Sequence, residues 1–149
     1  MSNQLFYALL MLATGIGIPV MAALSSTLGT KYGSPAFAAS VLFLVALSIS
    51  VISLFAIEGG LKSLPKISLP FYFYLGGIFV AFYVLSVTWV APKFGIGNAV
   101  AFVLLGQLIS MAAIDQFGLL GAQMHTITLQ RAIGIILMSA GVFLAVRRG

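Results

Sequence analysis

Five long apolar runs, parted by short polar breaks, set the pattern of this chain. The first covers about Leu5 to Ser26 and is followed by the turn "GTKYGSP", Gly29 to Pro35. The second covers about Ala36 to Ile57 and ends at the longest polar stretch, "EGGLKSLPKISLP", Glu58 to Pro70. The third covers about Phe71 to Ala91, before a tight break at "PKFG", Pro92 to Gly95. The fourth covers about Ile96 to Phe117, and the fifth about Leu129 to Val146, before "RRG". A helix needs roughly 20 apolar residues to cross hydrocarbon, so each run predicts a transmembrane helix. Gly and Pro gather at the junctions, where chain reversal needs them. Alternating strand patterns are missing, which argues against a β-barrel. The expected fold is all-α, one integral membrane domain of five helices over residues 1–149. No positive charge precedes the first run, and the run is longer than the core of a signal peptide, so it is expected to be a retained helix. No soluble domain or tail is expected beyond the spans.

Composition narrows the class further. Of 149 residues, 62% are apolar and 6% are charged, against about a quarter charged in soluble domains. Too few polar groups exist to cover a water-facing surface, so the chain is expected to be embedded in a lipid bilayer. The net charge of +5 comes from scattered Lys and Arg near segment ends. That is loop and headgroup chemistry and predicts no nucleic-acid partner. With five spans, Lys62, Lys66 and Arg131 fall on one side, and Lys31, Lys93, Arg147 and Arg148 on the other. The richer side faces the cytoplasm. Three against four leaves two readings open: one orientation with the C-terminus inside, or dual topology with copies pairing antiparallel. The chain has no cysteine, one histidine and two acids. No catalytic constellation, cofactor motif or metal-ligand set can be assembled from them, and the chain is not expected to be an enzyme. His125, in "GAQMHTIT", is read as a solvated loop residue.

A few polar residues interrupt the apolar runs. Gln107 lies near the centre of the fourth. Its amide has donors and acceptors that lipid cannot satisfy. It is either interhelical glue or a substrate contact at the membrane midplane. Asp115 lies about 12 Å further along and roughly 80° around the helix. It either reaches headgroup water with Gln116 or attracts cations at a pathway mouth. Pro19, after "TGIGI", is predicted to bend the first helix, and Gly15 and Gly17 permit close approach of backbone or ligand. Ser25 and Ser26 lie near the predicted end of that helix and are expected to add little. In the third run, Phe71 to Tyr74 form an interfacial aromatic belt. Phe79, Tyr83 and Ser86 share a face with Trp89 beside it, and Tyr83 and Trp89 carry polar handles as well as rings. In the fifth, Gly134, Gly141 and Ala145 share a face suited to close helix association.

Taken together, "YLGGIFVAFYVLSVTWVAPKFG", "GQLISMAAIDQFGLLG" and "LQRAIGIILMSAGVFLAVRR" resemble the YdcZ-type small inner-membrane proteins of the drug/metabolite transporter (EamA-like) superfamily. The motifs are Ala91 to Gly95, Gly106 with Gln107, Asp115 with Phe117 to Gly121, and Gly134 to Val142. The last is also similar to the dimerising helix of small multidrug resistance transporters. The resemblance implies a five-helix half unit of an inverted-repeat transporter, pairing with a second copy or a homologous half. It also implies transport of a small organic metabolite across the cell (inner) membrane. Where the family often has Gln and Asn in the first helix, this chain has Met21 and Ser25. It also lacks the first-helix glutamate of small multidrug resistance transporters, which speaks against proton-coupled export of cationic drugs. On this reading Gln107, Tyr83, Trp89 and Asp115 line the path and Pro19 bends a gating helix. The other class considered is a non-transporting assembly or modulatory subunit, which would bury Gln107 and Tyr83 in dry packing.

Overall fold

The computed structural model describes residues 2–60, 67–121 and 127–146, without the side chains at 2, 3, 121 and 145. Lys62, Lys66, His125, Arg147 and Arg148 lie outside the described residues. The five helices are α1 (Ser2–Lys31), α2 (Pro35–Glu58), α3 (Gly76–Phe94), α4 (Ile96–Phe117) and α5 (Leu129–Val146). Tight 3₁₀ turns at Phe71–Leu75 and Leu119–Gly121 precede α3 and follow α4. Among the described residues there is no strand, and the fold is all-α. Four helical stretches, Gln4–Lys31, Pro35–Glu58, Phe71–Phe94 and Ile96–Phe117, are long and apolar enough to cross a membrane. The apolar stretch of α5, Leu129–Leu144, is shorter. All 18 residues of α5 cover about 27 Å at 1.5 Å per residue, close to the roughly 30 Å of a hydrocarbon core.

Two junctions differ from the sequence reading. The turn expected at Gly29 to Pro35 shrinks to residues 32–34, because α1 runs on through Gly29 to Lys31. Gly33, at φ 66, stops it. Gly33 N–H donates to the Thr30 carbonyl at 3.2 Å and Ser34 N–H to the Gly29 carbonyl at 2.9 Å, a Schellman closure. Ser34 then caps α2 by accepting from Phe37 N–H at 3.2 Å, and Pro35 opens the helix where its missing N–H costs nothing. The break expected at Pro92 to Gly95 shrinks to Gly95, since α3 continues through Pro92 to Phe94. Gly95, at φ 92, takes a backbone conformation that side chains disfavour, and the Asn98 amide donates to the Phe94 carbonyl at 2.9 Å.

The chain divides into two compact units, Met1–Lys93 and Phe94–Gly149. In the first, α1 and α2 form a hairpin. Its core is built from small residues at helical spacing: Ala22, Ser25, Ser26 and Gly29 on α1, and Ala38 and Ala39 on α2. Val84, Val87, Thr88 and Ala91 form the matching buried stripe on α3. Gly29 is tightly packed. A Cβ there would meet Thr88 Cγ2 at 3.0 Å and the Pro35 Cα at 3.3 Å. Close backbone approach through small residues is how helices associate without a hydrophobic drive between them. The outer faces stay apolar and exposed, from Leu5 to Ile18 on α1 and from Leu44 to Ile57 on α2, as lipid contact demands. Ser40, Ser48 and Ser50, exposed on α2, return their hydroxyls to carbonyls four residues back at 2.8–2.9 Å. Each is thereby satisfied without water.

The second unit is the α4–α5 hairpin. Asp115 near the end of α4 meets Arg131 in the first turn of α5. At the other end, Phe102 and Leu105 border a cavity of about 130 Å³ with Val142, Phe143 and Val146.

Candidate functional site

The first unit carries a cleft between α1 and α2, with a volume of about 440 Å³. One wall is Gly17, Val20, Met21, Leu24, Ser25 and Leu28; the other is Ala38, Val41, Leu42 and Val45. The spacing of three and four residues along each helix turns one face of each to the cleft. Met21 and Ser25 both line it, Ser25 with the wall's one polar side chain. The cleft is therefore almost wholly apolar. Pro19 lies inside α1 beside this wall, where its missing N–H leaves the Gly15 carbonyl without its helical donor. A Cβ on Gly15 or Gly17 would meet nothing within 4 Å.

Ser25 corrects the expectation that it adds little. Because α1 extends to Lys31, Ser25 sits well inside the helix and is 5% exposed. Its Oγ lies 2.7 Å from Oγ1 of Thr88, itself 2% exposed on α3. Nothing in the sequence alone singles out Thr88. The available signal was a hydroxyl flanked by apolar residues in "SVTWV", which alone does not name a partner 63 positions away.

On α3, Tyr83 is half-buried, and its phenolic oxygen is buried without a hydrogen-bond partner among the described residues. Trp89 is exposed, and the Lys93 ammonium sits 4.1 Å from its ring centroid. An aromatic ring paired with a lysine in the last helical turn suits a membrane boundary.

In the second unit, Gln107 lies mid-helix on α4, about 16 Å from either end at 1.5 Å per residue. It is exposed, and its amide makes no hydrogen bond among the described residues. Asp115 forms an ion pair with Arg131, both side chains being part-buried. Gln116 Oε1 accepts from Ile127 N–H at 2.8 Å, and Thr128 Oγ1 accepts from Arg131 N–H at 3.3 Å. These contacts clamp the α4–α5 junction. From the sequence, Arg131 reads only as a loop charge. Topology held the missing signal, since the end of one span and the start of the next must share a membrane face. On α5, a Cβ on Gly134 or Gly141 would meet nothing within 4 Å among the described residues. Ala145 belongs to α5, but its side chain lies outside the described residues.

A family model matches residues 6–144, nearly the whole chain, and is described as "Putative inner membrane exporter, YdcZ". No curated protein and no solved structure matches the chain. The helical fold, its membrane-length helices and that match agree: this is an integral, multi-pass protein of the inner membrane, and it belongs to the YdcZ family of membrane exporters.

Proposed function

We propose that the chain is one half of a dimeric exporter of a small organic metabolite, and that Gln107 lines a path closed by a second copy or a homologous half. The observation that carries this reading is the position of Gln107. An amide at the middle of an apolar helix, exposed and without a partner among the described residues, is untenable against lipid. A serine on such a face can bond its own helix, as Ser48 does to Leu44. Gln107 makes no such bond. It needs another protein surface or a water-filled cavity, and a transport path between two halves supplies both.

The open glycines of α5 support the dimer. With no atom of the described residues within 4 Å of a Cβ built on Gly134 or Gly141, a second helix can approach closely. The near balance of Lys and Arg on the two sides fits halves inserted in opposite orientations.

The test is metabolite flux in proteoliposomes, screened over pooled small metabolites for wild-type protein and Gln107→Leu, with crosslinking of both in the same vesicles. The expected result is flux by wild type and loss of flux by the variant with its dimer intact. A dimer that moves nothing, in either protein, would assign the chain to assembly or modulation of another complex.

A further inference from the structure

We infer that the α1–α2 cleft is a binding site for a small neutral compound with an apolar body and one hydrogen-bond acceptor, a carbonyl or ether oxygen, which Ser25 receives. The inference goes beyond the path at Gln107 and does not depend on it.

Two observations point to the same ligand. The first is the cleft itself, about 440 Å³, within the range of small-molecule sites. Its walls offer aliphatic side chains and no charge, so an ionised ligand would lose its hydration with nothing in return. The second is the hydroxyl pair beside it. Ser25 Oγ and Thr88 Oγ1 lie 2.7 Å apart, and either can donate. Two hydroxyls carry two protons, and their mutual bond uses one. The other has no acceptor among the described residues, although both side chains are more than nine-tenths buried. A buried donor left unpaired is costly.

The direction of the pair selects the ligand. Ser25 lines the cleft and Thr88 does not. If Thr88 donates to Ser25, the Ser25 proton is the spare one, and an acceptor in the cleft satisfies it. Both protons are then bonded. A ligand that donates to Ser25 leaves one proton of the pair still unpaired. A lipid acyl chain fills the apolar volume but offers Ser25 nothing. A neutral ketone, ester or ether of moderate size meets both demands.

The test uses the full-length protein in nanodiscs and benzophenone as a photoreactive ketone probe, with labelled peptides mapped by mass spectrometry. Labelling should concentrate on residues 17–28 and 38–45 over the exposed stretch 5–12. Fluorenone should suppress it about tenfold more effectively than fluorene, which has the same shape without the carbonyl, as one hydrogen bond accounts for. Ser25→Ala should make the two competitors equal, and Ser25→Thr should restore the preference. Val41→Trp, which fills the cleft and leaves the hydroxyl pair in place, should abolish cleft labelling. Should Ser25→Ala fail to fold, the wild-type competition and Val41→Trp still decide. Labelling spread evenly over lipid-exposed residues would overturn the inference. So would equal competition by fluorene and fluorenone in wild type, which would mean that the cleft takes acyl chains only.

Discussion

Asp115, two residues before the end of α4, is held by Arg131, the third residue of α5. The pair closes one end of the α4–α5 hairpin and neutralises the acid at that junction. Each side chain is roughly a quarter to a third exposed, at 23% and 31%, so water screens the attraction. Its worth is on the order of 1 kcal/mol or less. Asp115→Asn should lower the unfolding temperature slightly, and Arg131→Gln by a similar amount. The double exchange, Asp115→Arg with Arg131→Asp, should recover most of the loss. Thermal unfolding in detergent at low salt checks this, and strictly additive losses would show that the pair does not couple the helices.

Two glycines predict opposite outcomes for one substitution. Gly29 is packed against Thr88 and the backbone at Pro35. Gly29→Leu should destabilise the first unit by about 1–3 kcal/mol, as overpacking does. Gly141 faces open space, so Gly141→Leu should leave the unfolding temperature of the single chain unchanged. It should instead weaken the dimer. Unfolding and crosslinking measured on both variants separate the two effects. Unchanged crosslinking of Gly141→Leu would take α5 out of the dimer contact.

Tyr83 carries a buried phenolic oxygen with no partner among the described residues. Removing an unpaired buried hydroxyl relieves a desolvation cost of about 1–3 kcal/mol. Tyr83→Phe should therefore unfold at the same or a higher temperature. Flux measured alongside gives the hydroxyl its role. Loss of flux at full stability would place it against substrate, whereas loss of stability would mean that it has a partner.

The helices were legible in the sequence because lipid imposes a simple rule: apolar runs of sufficient length, with Gly and Pro between them. Three residues show where that rule stops. The sequence places Gly29 in a turn, yet α1 runs through it and Gly33 makes the turn. One glycine serves packing and the other a left-handed backbone, and a sequence prints both with the same letter. The apolar run puts Ser25 beside a helix end at Ser26, but the helix ends five residues later, at Lys31. Thr88 was missed because its importance lies in a contact with Ser25, not in its own neighbourhood. The oddity of Gln107 was fully legible, since an amide in an apolar run conflicts with lipid whatever the fold. What the proposed second half sets against it is not legible, because a single chain carries no record of another surface.

Gln107 therefore supports the most informative prediction. Among the described residues the amide is exposed and unbonded. Against lipid this would cost on the order of several kcal/mol, so a partner surface or an aqueous cavity must receive it. If a partner side chain bonds it as glue, Gln107→Leu removes a link worth about 1 kcal/mol, and the dimer loosens. If it faces a path, the leucine meets no lost partner in the resting dimer, and assembly is unharmed. Substrate then loses its contact, and flux falls while crosslinking and unfolding temperature hold. Gln107→Asn adds a control, because it keeps the amide but draws it back by one methylene. Under the path reading it should keep part of the flux; under the glue reading it should loosen the dimer nearly as much as leucine. The deciding measurement is flux per crosslinked dimer in proteoliposomes for wild type, Gln107→Leu and Gln107→Asn. Full flux in Gln107→Leu, or flux lost only in step with the dimer, would remove Gln107 from the path.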